Sequence, residues 1–217
     1  MTDHRTRFLD AALRAEALRF GEFTLKSGRV SPYFFNAGRF DSGAALAALG
    51  RAYADAIHAA GLDFDLLFGP AYKGIPLATA LACALAADGR DLPVAFNRKE
   101  AKAHGEGGML IGAPLAGRRV LVVDDVITAG TAIREALALI RDAGGVPSGI
   151  VIGLDRQEIV RDGDPRSAAQ GVAEEHGIPV IAVASLADLL DFSAQRPELS
   201  DYREALGAYR QRYGAGG

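Results

Sequence analysis

Residues 120–131 read VLVVDDVITAGT, and the fold turns on this stretch. Val120, Leu121, Val122 and Val123 form an unbroken apolar run, as in a strand covered on both faces. Two adjacent carboxylates follow, Asp124 and Asp125, and then Val126 and Ile127. The small residues Thr128, Ala129, Gly130 and Thr131 come next and lead into the helical pattern TAIREALALIRDAGG (131–145). A strand, a tight loop and a helix in succession form the unit of an α/β protein.

Further apolar runs lie at 65–69, 92–96, 149–155 and 178–184, with a second helical pattern at 74–89. Both helical patterns end in glycine, a common helix stop. The alternation predicts an α/β fold, with a central, mostly parallel sheet flanked by helices. Ligands in such sheets sit beyond the carboxyl ends of the strands. Helical packing elements are expected at 165–176 and 197–214.

Two segments break the alternation. An amphipathic stretch (3–20) is followed by FTLKSGRVSPYFFN (23–36), two β-like runs around Ser27 and Gly28. This reads as a flap, about 20–40, added to the sheet. The second exception is FNRKEAKAHGEGGMLIG (96–112), a polar segment between two apolar runs, read as a β-hairpin lid over about 98–108. With no repeat or linker in view, the 217 residues are expected to form one domain.

Hydrophobic content of 49% and charged content of 24% fit a soluble globular protein. A net charge of −3 argues against a chain built to neutralise nucleic-acid phosphates. No apolar run approaches the roughly 20 residues of a membrane span. The polar opening MTDHRTRFLD shows no signal peptide, so the cytoplasm is the expected location. Cys83 is the one cysteine, expected to be a small core residue in an alanine-rich helix.

The loop after Asp125 puts backbone N–H groups and a helix dipole at one point, an anion site by geometry. Taken alone, it reads equally well as a helix capped by Thr128 or Thr131. The acidic pair shifts the balance, because two ionised carboxylates at a strand end repel unless a ligand uses them. Ribose hydroxyls would do so by donating hydrogen bonds to them. A sugar phosphate would satisfy both halves. No Walker A loop, G-x-G-x-x-G fingerprint, C-x-x-C, H-E-x-x-H or G-x-S-x-G is present.

Four apolar residues, the acidic pair and TAGT resemble the 5-phosphoribosyl-1-pyrophosphate (PRPP) signature of type I phosphoribosyltransferases. The segments 23–36, FGPAYKGIPLA (68–78), RKEAKAHGEGG (98–108) and LDR (154–156) are similar to those of the orotate phosphoribosyltransferase family, in its order and spacing. The resemblance implies the type I phosphoribosyltransferase fold. It also implies transfer of the phosphoribosyl group from PRPP to orotate, giving orotidine 5′-monophosphate and pyrophosphate, in pyrimidine biosynthesis.

For PRPP, the resemblance implies contacts from Asp124 and Asp125 to the ribose hydroxyls. Val126, Ile127, Thr128, Ala129, Gly130, Thr131 and Ala132 would surround the 5′-phosphate. Tyr72 and Lys73 would take the pyrophosphate side, with Arg98, Lys99, Lys102 and His104 from the lid. Without the family match Lys73 reads as a solvated lysine, and 98–108 as a solvated hairpin tip. For orotate it implies Phe34, Phe35, Thr128 and Arg156, with Lys26 near both substrates. On the residues alone, Lys26 is a turn lysine and the two phenylalanines are flap-core aromatics. Orotate is a planar carboxylate, so a cation beside an apolar wall suits it.

The catalytic candidates are Lys102, His104, Asp124 and Asp125. Mg²⁺ is the expected cofactor, held mainly by PRPP and water rather than by a protein cage. A homodimer sharing the lid across subunits is implied as well, with no nucleic acid and no membrane as partner. A purine or uracil phosphoribosyltransferase would lack a use for Arg156 and the flap phenylalanines. A PRPP-binding regulator would be expected to lose the basic loop and gain a nucleic-acid-binding segment.

Overall fold

The computed structural model describes residues 3–25, 27–102, 108–161 and 163–215; for Lys99, Ala101 and Lys102 only the backbone is described. The chain begins with α1 (His4–Arg14), whose N-terminus is capped by Asp3 accepting from the Thr6 amide at 2.9 Å. Next come β1 (Leu18–Thr24) and β2 (Val30–Phe35), and α2 (Gly43–Ala60), capped by Ser42 and ended by Gly61 at φ 63°. The core of the α/β unit follows: β3 (Leu66–Gly69), α3 (Gly74–Ala87), β4 (Val94–Lys102), β5 (Gly108–Gly112) and β6 (Arg119–Asp124). It continues through α4 (Thr131–Asp142), β7 (Val146–Asp155), α5 (Ala168–His176), β8 (Val180–Ser185) and α6 (Leu186–Ala194). A 3-10 turn at Pro197–Tyr202 leads into α7 (Arg203–Tyr213).

Six strands make one sheet in the order β5-β4-β3-β6-β7-β8, parallel except for β5 at the edge. The apolar runs divide their side chains between its two faces. Leu67, Leu121, Val123 and Val151 join the cluster under α1, α2 and α3. Leu66, Val120, Val122, Ile150 and Ile152 join the cluster under α4 and α5. Each such side chain contributes roughly 1.5–3 kcal/mol by leaving water, which is why these strands show no polar alternation. The sheet grows outward in both directions from the neighbours β3 and β6. Their carboxyl ends therefore diverge into the crevice where open α/β sheets take ligands.

Within the amphipathic stretch 3–20, α1 ends at Arg14; Glu16, at φ 53°, turns the chain and a strand starts at Leu18. Three expectations are corrected. The flap is a separate two-stranded antiparallel sheet, β1 with β2, rather than an addition to the central one. Cys83 is exposed: α3 buries Leu77, Ala78, Leu81 and Leu85, and Cys83 falls on the opposite side of the helix. So many alanines leave too little contrast between helix faces for the pattern to show this. The helices expected at 165–176 and 197–214 start later, at Ala168 after the Ser167 capping box and at Arg203 after the 3-10 turn.

Candidate active site

The acidic pair stands at the carboxyl end of β6, within the crevice. Asp125 is 6% exposed. Its Oδ1 accepts from the Val126 amide at 2.9 Å and its Oδ2 from Lys73 Nζ at 2.8 Å. Lys73 itself follows β3, so the pair Lys73–Asp125 bridges the two strands from which the sheet diverges. The lysine side chain is half exposed while its partner carboxylate is buried, so the ammonium stays within reach of an anion in the crevice. Asp124 Oδ1 accepts from the Asp125 amide at 2.9 Å, and Tyr53 Oη donates to the Asp124 carbonyl at 2.8 Å. Burial first, and then the charge of Asp125, push the Asp124 carboxyl up to about 7.

The floor beneath these groups is backbone packed on backbone. A Cβ on Gly69 would come within 2.4 Å of Gly74 O, and one on Gly74 within 2.8 Å of Val123 O. One on Gly153, whose amide donates to Asp125 O at 2.9 Å, would meet Tyr53 Oη at 2.8 Å.

The loop 126–130 delivers the start of α4. Its N-cap is Gly130 at φ 76°, a left-handed conformation that disfavours any side chain, and no side chain among the described residues caps the helix. Neither Thr128 nor Thr131 takes the capping role open to it. Among the described residues, the amides of Ile127, Thr128, Ala129, Gly130, Thr131 and Ala132 donate no hydrogen bond. Thr128, Ala129, Thr131 and Ala132 are exposed. Six amides, two threonine hydroxyls and the positive end of a helix dipole thus lie within the short run 127–132.

After β3, Tyr72 is 66% exposed and follows a cis Ala71–Tyr72 peptide. The Ala71 amide donates to Asn97 Oδ1 on β4 at 2.8 Å. Arg98, the next residue, has a buried Nη1 with no hydrogen-bond partner among the described residues. Lys26 and His104 lie outside the described residues, as do the side chains of Lys99 and Lys102.

Arg156 follows the end of β7 and is paired with Glu158 at 2.6 Å. Burial disfavours its charge, but the neighbouring Glu158 carboxylate and the Tyr33 and Tyr209 hydroxyls outweigh that and keep the guanidinium protonated. Burial, then the Glu158 carboxylate, push the Tyr209 hydroxyl up to about 12, so it remains a donor. Phe34 and Phe35 point to opposite faces of β2. Phe35 packs at 5.9 Å from the core ring of Phe8, while Phe34 sits with Phe23 at 5.6 Å and under Arg19.

Sequence reasoning missed Tyr53, Asn97, Glu158 and Tyr209. Glu158, two residues past Arg156, and Asn97, beside Arg98, lay next to recognised residues. The others come from helices whose approach depends on the tertiary fold.

Residues 38–159 match the model of the phosphoribosyl transferase domain. Over 214 residues the chain is 78% identical to the orotate phosphoribosyltransferase of Xanthomonas euvesicatoria pv. vesicatoria strain 85-10, covering 99% of this chain and 98% of that one. A crystal structure of orotate phosphoribosyltransferase from Francisella tularensis superposes with a TM-score of 0.86 at 42% identity, covering 95% of this chain and 98% of that one. The Mycobacterium tuberculosis H37Rv orotate phosphoribosyltransferase, solved in complex with 5-phospho-alpha-D-ribosyl 1-diphosphate, superposes with a TM-score of 0.64 at 28% identity. That alignment covers 86% of this chain and 99% of the other.

Proposed function

The chain belongs to the phosphoribosyltransferase family and, within it, to the orotate phosphoribosyltransferases, and from that premise we propose how its site divides the work. The reaction joins the 5-phosphoribosyl group of PRPP to orotate, giving orotidine 5′-monophosphate and pyrophosphate, a step of pyrimidine biosynthesis. One observation carries the assignment of roles: the start of α4, with six amides that have no hydrogen-bond partner among the described residues, beside the acidic pair and near Lys73.

In this reading the amides and hydroxyls of 127–132 bind the 5′-phosphate. Asp124 and Asp125 accept from the two ribose hydroxyls, whose developing positive charge at the anomeric carbon they also favour. Lys73 and Tyr72 take the pyrophosphate, and Arg98, whose buried Nη1 has no partner among the described residues, joins them with Lys99, Lys102 and His104. As the bond to pyrophosphate breaks, these cations meet the negative charge that gathers on its oxygens. Lys102 or His104 stands as the group that stabilises or protonates it. Lys26, Phe34, Phe35, Thr128 and Arg156 hold orotate.

Mg²⁺ is the proposed cofactor. The oxygens of PRPP are hard donors of the kind this ion prefers, and the acids of the site stay assigned to the ribose. Bound mainly to PRPP oxygens and water, the ion would neutralise the leaving pyrophosphate. We further place the enzyme in the cytoplasm as a homodimer sharing the 98–108 lid, with the whole chain acting as one domain. No helix among the described residues is long and apolar enough to cross a membrane.

The test is to incubate the protein with PRPP, Mg²⁺ and one base at a time while following pyrophosphate release. Release is expected with orotate. Release with adenine, hypoxanthine or uracil, but not with orotate, would sink the reading.

A further inference from the structure

Arg156 is held by the nearby Glu158 and by groups from two distant parts of the chain, the flap and α7. Its Nε and Nη2 donate to Glu158 Oε1 at 2.9 and 2.6 Å, and Nη2 also reaches Tyr209 Oη on α7 at 3.3 Å. Tyr209 Oη donates to the same Glu158 oxygen at 2.9 Å. The guanidinium lies 5.5 Å from the centre of the Tyr33 ring, and Tyr33 meets Tyr209 edge-on at 6.2 Å. On the other side of Glu158, Oε2 faces Arg29 Nη1 at 3.6 Å, and that nitrogen donates to Ile159 O at 3.0 Å. The backbone closes the same junction. The Ile159 amide donates to Tyr213 O at 2.9 Å, and the Ala215 amide to Gln157 O at 2.7 Å.

The arrangement has a geometric and an electrostatic consequence. Bonds from Nε and Nη2 fix the plane of the guanidinium and leave Nη1 outside them. Arg156 and Glu158 are 18% and 14% exposed, so their bonds act where solvent competes weakly. One carboxylate set between two arginines leaves the trio a net positive charge, which suits one anionic group.

We propose that Glu158 and Tyr209 are positioning residues for base recognition: they clamp one edge of Arg156 so that its remaining donors meet orotate, and α7 thereby sets the affinity for the base. The proposal rests on Arg156 being the cation that orotate meets. It gives α7 a role beyond packing.

The experiment is steady-state kinetics on Tyr209→Phe, Glu158→Ala, Glu158→Gln and Arg156→Ala, each substrate being varied in turn, with melting temperatures alongside. Tyr209→Phe, which removes a single oxygen, is expected to raise KM for orotate about 3- to 10-fold. Glu158→Ala should raise it about 10-fold or more, and Glu158→Gln, which keeps an acceptor in place, should recover most of that loss. For all three, kcat and KM for PRPP should stay within about twofold. An unchanged orotate KM in Tyr209→Phe and Glu158→Ala overturns the proposal. So does a parallel rise in both KM values with a lowered melting temperature, which marks packing alone. Should Glu158→Ala fail to fold, Tyr209→Phe decides. If Arg156→Ala leaves orotate use intact, the assignment of Arg156 itself falls. If it selectively impairs orotate while the other variants do not, only the clamp is lost.

Discussion

On the proposed phosphate side of the site, the carboxylates, hydroxyls and amides come from consecutive positions, 124–132. On the proposed base side, the groups around Arg156 come from positions 29, 33, 158 and 209. The first is a local structure: a strand end, a glycine-permitted turn and a bare helix start bring their own donors. The second exists only once the flap, the end of β7 and α7 have packed together. Backbone donors are fixed by the fold, whereas a network of side chains can be adjusted one residue at a time. The phosphate side should therefore respond to substitution through PRPP alone, and the base side through orotate alone.

The largest effect expected is at Asp125. Asp125→Asn weakens the bonds to Lys73 and to a ribose hydroxyl, and kcat/KM for PRPP should fall about 10²- to 10³-fold. Steady-state assays check this, and an equal rise in KM for orotate would show the two sides to be one unit. Next comes Arg156→Ala, expected to raise KM for orotate about 30-fold while PRPP affinity by calorimetry stays within about twofold. Equal loss of both ligands would break the comparison from the other side.

The smallest effect is on stability. With its carboxyl raised to about 7, Asp124 keeps a proton in the folded protein that the unfolded chain releases near 4. Folding stability therefore falls as pH rises between those values. Asp124→Asn should raise the melting temperature of the ligand-free protein at pH 8 by about 2–4 °C, or about 1 kcal/mol after solvent screening. The gain should shrink towards pH 5, where the wild-type carboxyl is protonated. Scanning fluorimetry at both pH values would expose the error if the shift were constant.

The same contrast explains what could be read in advance. The runs at 65–69, 120–125 and 149–155 announced β3, β6 and β7 because strands buried on both faces cannot alternate. The acids at 124 and 125 and the small-residue loop were legible together because they are adjacent in sequence. The strand order was not, since nothing in the run at 65–69 says that it neighbours the run at 120–125. Nor was the bond from Tyr53 to the Asp124 carbonyl, 71 residues away. Glu158 stood in plain view, but a glutamate two positions beyond an arginine carries no sign that it will hold that arginine. Tyr209 belongs to a helix whose docking is decided by the flap and the end of β7.

Gly69, Gly74 and Gly153 have one more consequence. A Cβ at any of the three would meet an atom at 2.8 Å or less, so none has room for a side chain. Substitution at these three positions is closed off by sterics. The proposed phosphoribose site therefore rests on a bed that tolerates little change, while the flap, the residues after β7 and the face of α7 present side chains that can be exchanged.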